Sequence, residues 1–180
     1  MTIAANGVIR YAPFLTWSHV DTVLDYGTGT LRNALYLLER GFTVYAADLH
    51  DQVKILHNHP AARRLAGLLE VKELERSRLG VDVVVSTYVF NIIRQRVKRR
   101  RYLDNVVANL RPGGYLLMEV GSRHDSDEYG ASGNTYFNCD NRVKTYTHSQ
   151  LDRLLVPYGF RRLCHHYSSH ALAAIYQLAA

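Results

Sequence analysis

The segment TVLDYGTGT, residues 22–30, constrains the fold more than any other part of this 180-residue sequence. Residues 22–26 are mostly apolar and β-branched, which predicts a strand. A glycine turn follows at 27–29, and the apolar residues 31, 34, 35 and 38 then recur at the spacing of one helix face until Gly41. A strand, a tight glycine turn and a helix in this order are typical of an α/β fold with a parallel sheet.

The rest of the chain repeats this alternation of strand and helix. Further strands are predicted at 43–47, 69–74, 81–86, 115–120, 160–167 and 171–178, and further helices at 51–57, 61–68, 96–110 and between a cap at 147 or 149 and Gly159. Residues 111–114 read as a turn, and only three residues separate the last two strands, which predicts an antiparallel hairpin. We expect a doubly wound α/β fold, with helices on both faces of a mostly parallel seven-stranded sheet whose last strand is antiparallel.

One domain accounts for the whole length of 1–180, a size that can bury a substantial core. Residues 1–21 are predicted to be an N-terminal lid or extension, and the polar residues 121–146 the longest loop, on the acceptor side. No apolar run has the length of a bilayer span, and the first residues do not resemble a secretory signal. The two cysteines lack a C-x-x-C spacing and favour a reducing compartment, so we predict a cytoplasmic protein without a membrane partner.

Two acids flank the glycine turn and indicate what it binds. Asp48 ends the second strand about 20 residues after the turn, where an acid can accept hydrogen bonds from ribose hydroxyls. The dinucleotide fingerprint requires a third glycine where this chain has Arg32. Asp25 would repel a pyrophosphate but suits a ligand with an ammonium group, such as the methionine part of S-adenosylmethionine (SAM). These residues favour SAM over a nicotinamide cofactor.

Five segments, in order, resemble the class I SAM-dependent methyltransferases. LDYGTGT is similar to the glycine motif of that family, VYAADL to its second strand, and VDVVVSTYVFNII to its fourth strand and the segment after it. NLRPGGYLLMEV resembles the fifth strand with its Pro-Gly-Gly lead-in, and THSQLDRLLVPYGFRRL the final helix and sixth strand. The chain departs from the family at Leu31, where many members have a third glycine.

The resemblance implies a SAM site and a role for each residue in it. Gly27 and Gly29 would line the homocysteine and ribose portion, Asp25 would hold the methionine ammonium, and Asp48 would bind the ribose hydroxyls. Glu73 or a neighbour would lie near the adenine, and the backbone of Ser86 and Thr87 would close the far side. No recognisable metal-ligand spacing occurs around the histidine pairs, so we predict no metal site.

The methyl acceptor is less clearly encoded. Candidate catalytic or acceptor-facing residues are Tyr88 and Asn91 after the fourth strand, and His124 and Tyr129 in the loop after the fifth. We expect a methyltransferase whose acceptor is a small molecule. RNA or protein methylation through Arg94–Arg101, where six of eight residues are basic, and SAM binding without catalysis are the alternatives. The oligomeric state is left open.

Overall fold

The computed structural model describes residues 3–122, 135–138 and 141–180, of which 135–138 and 141–143 are described by their backbone alone. The strands are β1 (Thr22–Tyr26), β2 (Thr43–Asp48), β3 (Gly67–Glu70), β4 (Val81–Thr87), β5 (Leu110–Gly121), β6 (Thr135–Asn138), β7 (Asn141–Lys144), β8 (Phe160–Tyr167) and β9 (Ala171–Leu178). The helices are α1 (Asn6–Trp17), α2 (Arg32–Leu38), α3 (His50–His57), α4 (Val71–Leu74), α5 (Arg96–Asn109) and α6 (His148–Leu155).

Seven strands form one sheet in the order β3-β2-β1-β4-β5-β9-β8. Strands β1 to β5 are parallel, and β9 lies between β5 and β8, antiparallel to both. The predicted doubly wound, mostly parallel sheet with an antiparallel last strand is therefore confirmed. Because the order reverses between β1 and β4, the carboxyl ends of these two strands border the crevice where open α/β sheets bind ligands.

Both faces of the sheet are buried, because each strand sends alternate apolar residues to opposite sides. One face packs on α4, α5 and α6 through a cluster that includes Leu24, Val84 and Leu116. The other face packs on α1, α2 and part of α3 through a cluster that includes Val23 and Val85. Two layers of helices thus hold the strand ends in fixed positions.

The N-terminal residues form a helix of the core. Helix α1 buries Val8, Tyr11 and Leu15 against the sheet, beside α2. Residues 8, 11, 12 and 15 have the spacing of one helix face, but Pro13 inside the segment and the absence of a side-chain cap at Ala5 hid this helix from the sequence prediction. Its first residues lie near the carboxyl end of β5, where the backbone N–H of Gly7 donates to Glu119.

Residues 60–74 differ from the sequence prediction. A short 3-10 helix at Pro60–Arg64 replaces the helix predicted at 61–68, and β3 ends at Glu70 instead of continuing to residue 74. The reason is a capping box: the side chains of Glu70 and Glu73 each accept a hydrogen bond from the other's backbone N–H and start α4. The sequence signal for this capping box is an acid followed three residues later by Glu inside an apolar run, and the prediction overlooked it.

Two further differences lie around β5. The predicted turn at 111–114 lies within β5 as a break in register, because Val81 pairs with Leu110 whereas Val83 pairs with Tyr115. The predicted loop 121–146 contains an antiparallel hairpin, β6 and β7. Aromatic and β-branched residues in both short runs explain these strands, although the runs are too short to stand out as a pattern.

No helix in the described ranges combines the length and the apolar character that a membrane span needs.

Candidate functional site

The glycine turn after β1 has the backbone conformation that its sequence predicts. Gly27 has a φ of 85° and Gly29 a φ of 56°, in the left-handed region that glycine enters without steric cost. A Cβ on Gly27 would overlap Val89 Cγ2, so the turn and the segment after β4 approach closely there. A Cβ on Gly29 would meet nothing within 4 Å, so this side of the turn has open space for a ligand.

Asp48 supports the turn from the end of β2. Its Oδ2 accepts from the backbone N–H of Gly29 at 2.8 Å, and its Oδ1 from that of Leu49 at 2.7 Å. Gln52, one turn into α3, donates to the Gly29 carbonyl oxygen at 2.6 Å. Since a carboxylate has about four acceptor positions, Asp48 retains the capacity to accept ribose hydroxyls.

Asp25 lies in β1, two residues before Gly27, and is 1% exposed. Its Oδ2 accepts from the Thr28 hydroxyl at 2.7 Å, whereas its Oδ1 is buried without a hydrogen-bond partner. Burial raises the pKa of this carboxyl to about 6, although the Thr28 hydroxyl and the nearby polar groups of Asn33 and Ala34 oppose the shift. A buried carboxylate oxygen without a donor is suited to a cationic ligand group, as the ammonium of SAM would be.

Leu31 occupies the position where the family often has glycine. It has a φ of 64° and is fully buried in the core. Leucine rarely adopts this conformation, so the chain combines backbone strain with a buried apolar side chain at the start of α2.

Side-chain hydrogen bonds join the end of β4 to two helices. The buried hydroxyl of Ser86 accepts from Tyr102 of α5 at 2.8 Å, and that of Thr87 accepts from Asn33 of α2 at 2.8 Å. Asn33 Oδ1 in turn accepts from the backbone N–H of Ala5 at 2.9 Å. The side chains of both predicted cofactor residues thus bind neighbouring helices, which leaves their backbone as the part that could face a ligand.

Glu73, predicted near the adenine, is exposed in α4, where its Oε2 accepts from the backbone N–H of Glu70. Glu70 pairs in register with Asp48 across β2 and β3, and its carboxylate contacts His50 Nδ1 at 2.6 Å. Of the two acids, Glu70 is therefore the one at the strand end beside Asp48. A role for Glu73 with adenine stays a prediction.

Tyr88, the first residue after β4, has a φ of 59°, which is unusual for a residue with a side chain. Its hydroxyl donates to Glu119 Oε1 at 2.8 Å, and its backbone N–H donates to the Glu119 carbonyl oxygen at 2.7 Å. Burial and the Glu119 carboxylate raise the pKa of Tyr88, whereas the Arg32 cation opposes them. Glu119 Oε2 accepts from the Gly7 N–H at 2.7 Å, so one buried carboxylate joins the segment after β4 to the start of α1.

A cleft of about 180 Å³ opens beside Glu119. It lies where α1 begins and where β5 pairs with the start of β9. The residues that line it are Asn6, Gly7, Arg10, Glu119, His166, Ser168, Ala171 and Ala173.

Asn91 is buried, and its Oδ1 has no hydrogen-bond partner, as is also true of the Tyr146 hydroxyl. The Asn91 carbonyl oxygen accepts from the backbone N–H of Lys144 at 3.0 Å, which joins the segment after β4 to the end of β7. The other two acceptor-side candidates, His124 and Tyr129, lie outside the described residues.

The basic segment Arg94–Arg101 forms the approach to α5 and its first turns. Most of its side chains are exposed, as are Ile92 at 56% and Val97 at 76%. Arg101 lies 3.6 Å from Glu75, and Arg99 donates to two backbone carbonyl oxygens. Among the described residues, no group of three His, Cys, Asp or Glu side chains is arranged to hold a metal ion.

The sequence analysis missed Glu119, Asn33 and Gln52. Glu119 is an acid inside the apolar strand LLMEV, where a buried charge is rarely without a function, and this was a signal that could have been used. Asn33 and Gln52 lie on helices and carry no motif. Their roles depend on which helix faces the turn, and only the packed structure defines this.

A family model described as "Methyltransferase domain" matches residues 7–179. A search of curated protein sequences finds no match.

Three of the similar solved structures are methyltransferases at low sequence identity. The 1,6-didemethyltoxoflavin-N1-methyltransferase of Burkholderia thailandensis, with bound S-adenosylhomocysteine, is 21% identical; the alignment covers 97% of this chain and 79% of that one, with a TM-score of 0.74. A SAM-dependent methyltransferase of Methanosarcina mazei is 15% identical over 99% of both chains, with a TM-score of 0.75. A glycopeptide N-methyltransferase is 18% identical over 97% of this chain and 91% of that one, with a TM-score of 0.69.

The matched family model spans nearly the whole chain, and the sheet order agrees with the expectation from the sequence motifs. The chain therefore belongs to the methyltransferase-domain family and is a SAM-dependent enzyme of the class I fold.

Proposed function

We propose that this enzyme transfers a methyl group from SAM to a small molecule that is held in the cleft beside Glu119. The observation that carries this proposal is the cleft of about 180 Å³ beside Glu119. Pockets for drug-sized ligands have volumes of about 300–1,000 Å³, so this cleft has room for one compact chemical group. Its walls are the start of α1, the ends of β5 and β8 and the start of β9.

Unsatisfied polar atoms in and beside the segment after β4 support an acceptor with hydrogen-bonding groups. The buried Oδ1 of Asn91 and the buried hydroxyl of Tyr146 have no partner. Leaving such groups unpaired costs about 1–3 kcal/mol each, and a polar acceptor would recover part of this free energy. Their segments are joined by the hydrogen bond from the Lys144 backbone N–H to the Asn91 carbonyl oxygen.

Methyl transfer from SAM requires few catalytic side chains. When bound, SAM supplies an activated methyl group on its sulfonium, and the protein supplies mainly orientation and exclusion of water. A proton acceptor is needed only if the methylated atom carries a proton at neutral pH. For that role the pair formed by Tyr88 and the buried Glu119 is the best placed of the described side chains. His124 and Tyr129 remain candidates from the sequence.

Two of the similar structures support the small-molecule class. One acts on 1,6-didemethyltoxoflavin and the other is a glycopeptide N-methyltransferase. Because these structures are only 21% and 18% identical to the chain, they support this inference through the shared fold alone. A cytoplasmic location is a further prediction that depends on the sequence.

A second candidate is an RNA methyltransferase that binds its substrate through Arg94–Arg101. The exposed arginines are interleaved with the exposed side chains of Ile92 and Val97 and adjoin the segment after β4. A basic surface with apolar side chains beside the site is typical of nucleic-acid recognition. The small cleft favours the first candidate, because an RNA methyltransferase does not need such a cleft to recognise either the bases or the backbone of RNA.

The proposal is tested by measuring S-adenosylhomocysteine formation from SAM with three acceptor pools: low-molecular-weight amines, phenols and thiols; total RNA; and unfolded protein. We expect product in the first pool alone, and none with a Gly29→Val variant. Product formed only with RNA or only with protein would overturn the small-molecule proposal. Binding of SAM without product in any pool would also overturn it and would favour a non-catalytic SAM-binding protein.

The RNA alternative has its own test. Arg96, Lys98 and Arg100 are all exposed and are replaced together by Glu, with the exposed set Arg63, Arg64 and Arg161 as a control of equal charge change. RNA binding is followed by fluorescence anisotropy of a 20-nucleotide single strand at two salt concentrations. If Arg94–Arg101 binds RNA, the first set weakens binding at least tenfold more than the control and flattens the salt dependence. Equal losses in both sets would reject this candidate.

A further inference from the structure

Glu119 is a fully buried acid that lacks a cationic partner. It is 1% exposed, yet it lines the cleft beside α1. Within the described part of the chain its carboxylate forms no ion pair, whereas the more exposed Asp82 and Asp152 each pair with an arginine. Acids are seldom buried so completely unless a cation accompanies them. The charge of Glu119 therefore indicates that a ligand supplies a cation or a strong hydrogen-bond donor.

The Glu119 carboxylate can accept further hydrogen bonds. Its two oxygens each accept one, from the Tyr88 hydroxyl and from the backbone N–H of Gly7. Since a carboxylate has about four acceptor positions, about two remain. Gly7 also keeps the space beside the carboxylate open, because a Cβ there would lie 2.6 Å from Glu119 Oε2 and 2.8 Å from Ala173 Cβ. All three residues line the cleft.

The other ionisable side chains of the cleft are in contact with water. Arg10 and His166 line the cleft and are exposed, so solvent can stabilise their charges without a ligand. They could attract an anionic acceptor such as a carboxylic acid, but Glu119 would repel its negative charge. An ammonium has the complementary charge, and its N–H donors suit the free acceptor positions of Glu119. These observations favour a positively charged nitrogen over an anion.

We propose that the methyl acceptor is a small primary or secondary amine and that Glu119 binds its nitrogen. This inference rests on the proposed function, because it requires the acceptor to occupy the cleft. An amine that binds as an ammonium neutralises Glu119, which an uncharged alcohol or thiol cannot do. The cleft volume of about 180 Å³ leaves room for an amine group with a small substituent.

Glu119 would also take part in the proton balance of the reaction. The bound ammonium must lose one proton before it can react, and the carboxylate that accepts its N–H is placed to take this proton. The nitrogen lone pair then forms a bond to the methyl carbon, while the C–S bond of the sulfonium breaks and leaves its electron pair on sulfur. The methylated nitrogen carries the positive charge, and Glu119 returns its proton to water at the mouth of the cleft.

The first test uses the wild-type protein with SAM and four pools of small compounds that share the same carbon skeletons: amines, alcohols and phenols, thiols, and carboxylic acids. We expect the amine pool to form at least about tenfold more S-adenosylhomocysteine than any other pool, since a charged hydrogen-bond pair contributes a factor of this size. Product mainly from carboxylic acids would favour Arg10 and His166 as the binding groups and would overturn the proposal. Product mainly from alcohols, phenols or thiols would also overturn it. In both cases a small-molecule methyltransferase would remain, whereas no product from any pool would refute the proposed function itself.

The second test is Glu119→Gln, assayed with the best amine. Glutamine keeps the size of the side chain, and its amide can still accept from Gly7 and pair with the Tyr88 hydroxyl. We expect the KM for the amine to rise about 10- to 100-fold, as for loss of a charged hydrogen bond. Inhibition by the alcohol of the same skeleton and the affinity for S-adenosylhomocysteine should each change less than about twofold, because neither depends on this charge. Glu39→Gln, an exposed acid at the end of α2, should change none of the three.

The comparison of amine and alcohol separates binding by Glu119 from its structural link to α1. Equal weakening of both compounds would show that the carboxylate only shapes the cleft, and it would overturn the proposal. An unchanged KM for the amine would overturn it as well. If Glu119→Gln does not fold, the comparison of the four pools with wild-type protein still decides between an amine and the other acceptors.

Discussion

Leu31 shows how one residue can be strained and stabilising at once. Its φ of 64° costs leucine roughly 1–2 kcal/mol, whereas complete burial of its side chain contributes about 1.5–3 kcal/mol. The two effects are of similar size, which explains how leucine can replace the usual glycine of the family. The backbone conformation causes the strain, and burial of the side chain in the core provides the stabilisation. Different substitutions can therefore remove the two effects separately.

Replacement of Leu31 by glycine is expected to cost less than replacement by alanine. Both variants lose the buried side chain, but alanine keeps the unfavourable φ, and the expected difference is about 1 kcal/mol. At Ala34, inside α2, glycine should instead lower stability by a similar amount. Urea unfolding of the three variants and the wild type measures this, and an alanine variant more stable than the glycine variant would contradict the strain.

Asp25 predicts a pH dependence of stability. Its ordinary pKa of 3.8 rises to about 6 in the folded protein, so the fold favours the protonated carboxyl. This contribution is fully present below pH 3.8 and is lost as the pH rises through 6; for a shift of this size the loss is up to about 3 kcal/mol. Asp25→Asn should therefore stabilise the ligand-free protein at pH 7.5 and not at pH 4.

The same carboxyl should make ligand binding depend on pH. Between pH 5 and 7.5 the affinity for S-adenosylhomocysteine should rise, because its ammonium favours the ionised carboxylate, and the affinity for 5′-methylthioadenosine should not. Calorimetry at four pH values measures both. Parallel pH profiles for the two ligands would show that Asp25 does not face the ammonium.

At the scale of elements, α1 is joined to the end of β4 by two buried side chains. Asn33 links the backbone N–H of Ala5 to the Thr87 hydroxyl, and Glu119 links that of Gly7 to the Tyr88 hydroxyl. Strand β4 and helix α1 are far apart in sequence, but the hydrogen bonds of these two side chains hold both elements beside the glycine turn. A change at the start of α1 should therefore affect the site.

Gly7→Ala is the simplest such change. A Cβ there would lie 2.6 Å from Glu119 Oε2 and 2.8 Å from Ala173 Cβ, so α1 must shift. Although alanine favours helices by about 1 kcal/mol, we expect a net loss of roughly 1–3 kcal/mol of stability. Ser149→Ala in α6, an exposed position, serves as the control. Thermal unfolding with no loss at Gly7→Ala would show that α1 packs less tightly than described.

For the whole molecule, cofactor binding and stability are linked. S-Adenosylhomocysteine at 100 times its Kd should add about 2.7 kcal/mol to the free energy of unfolding, a Tm increase of about 5–10 °C for this chain length. Asp48→Ala and Gly29→Val should each abolish the increase, whereas Asp51→Ala, an exposed acid in α3, should keep it. An increase that persists in both site variants would refute the location of the site.

The sequence predicted the fold well because its strands are short apolar runs of fixed order, and the glycine turn is a local motif. It failed where a local signal was hidden and where tertiary contacts decide. The capping box at Glu70 and Glu73 overrode an apolar pattern, and Pro13 together with the missing side-chain cap hid the helical spacing of α1. The links through Asn33 and Glu119 join residues far apart in the chain, so no local pattern could have shown them.

The two bridges to α1 also have a practical consequence. Deleting residues 5–7 would remove the backbone N–H donors that hold one oxygen of Asn33 and one of Glu119, and it would expose the apolar face beneath. Such shortened versions are expected to lose cofactor affinity even though no cofactor-contacting residue has been removed. Tags and fluorescent reporters are better attached after Ala179 and Ala180, which are exposed at the opposite terminus.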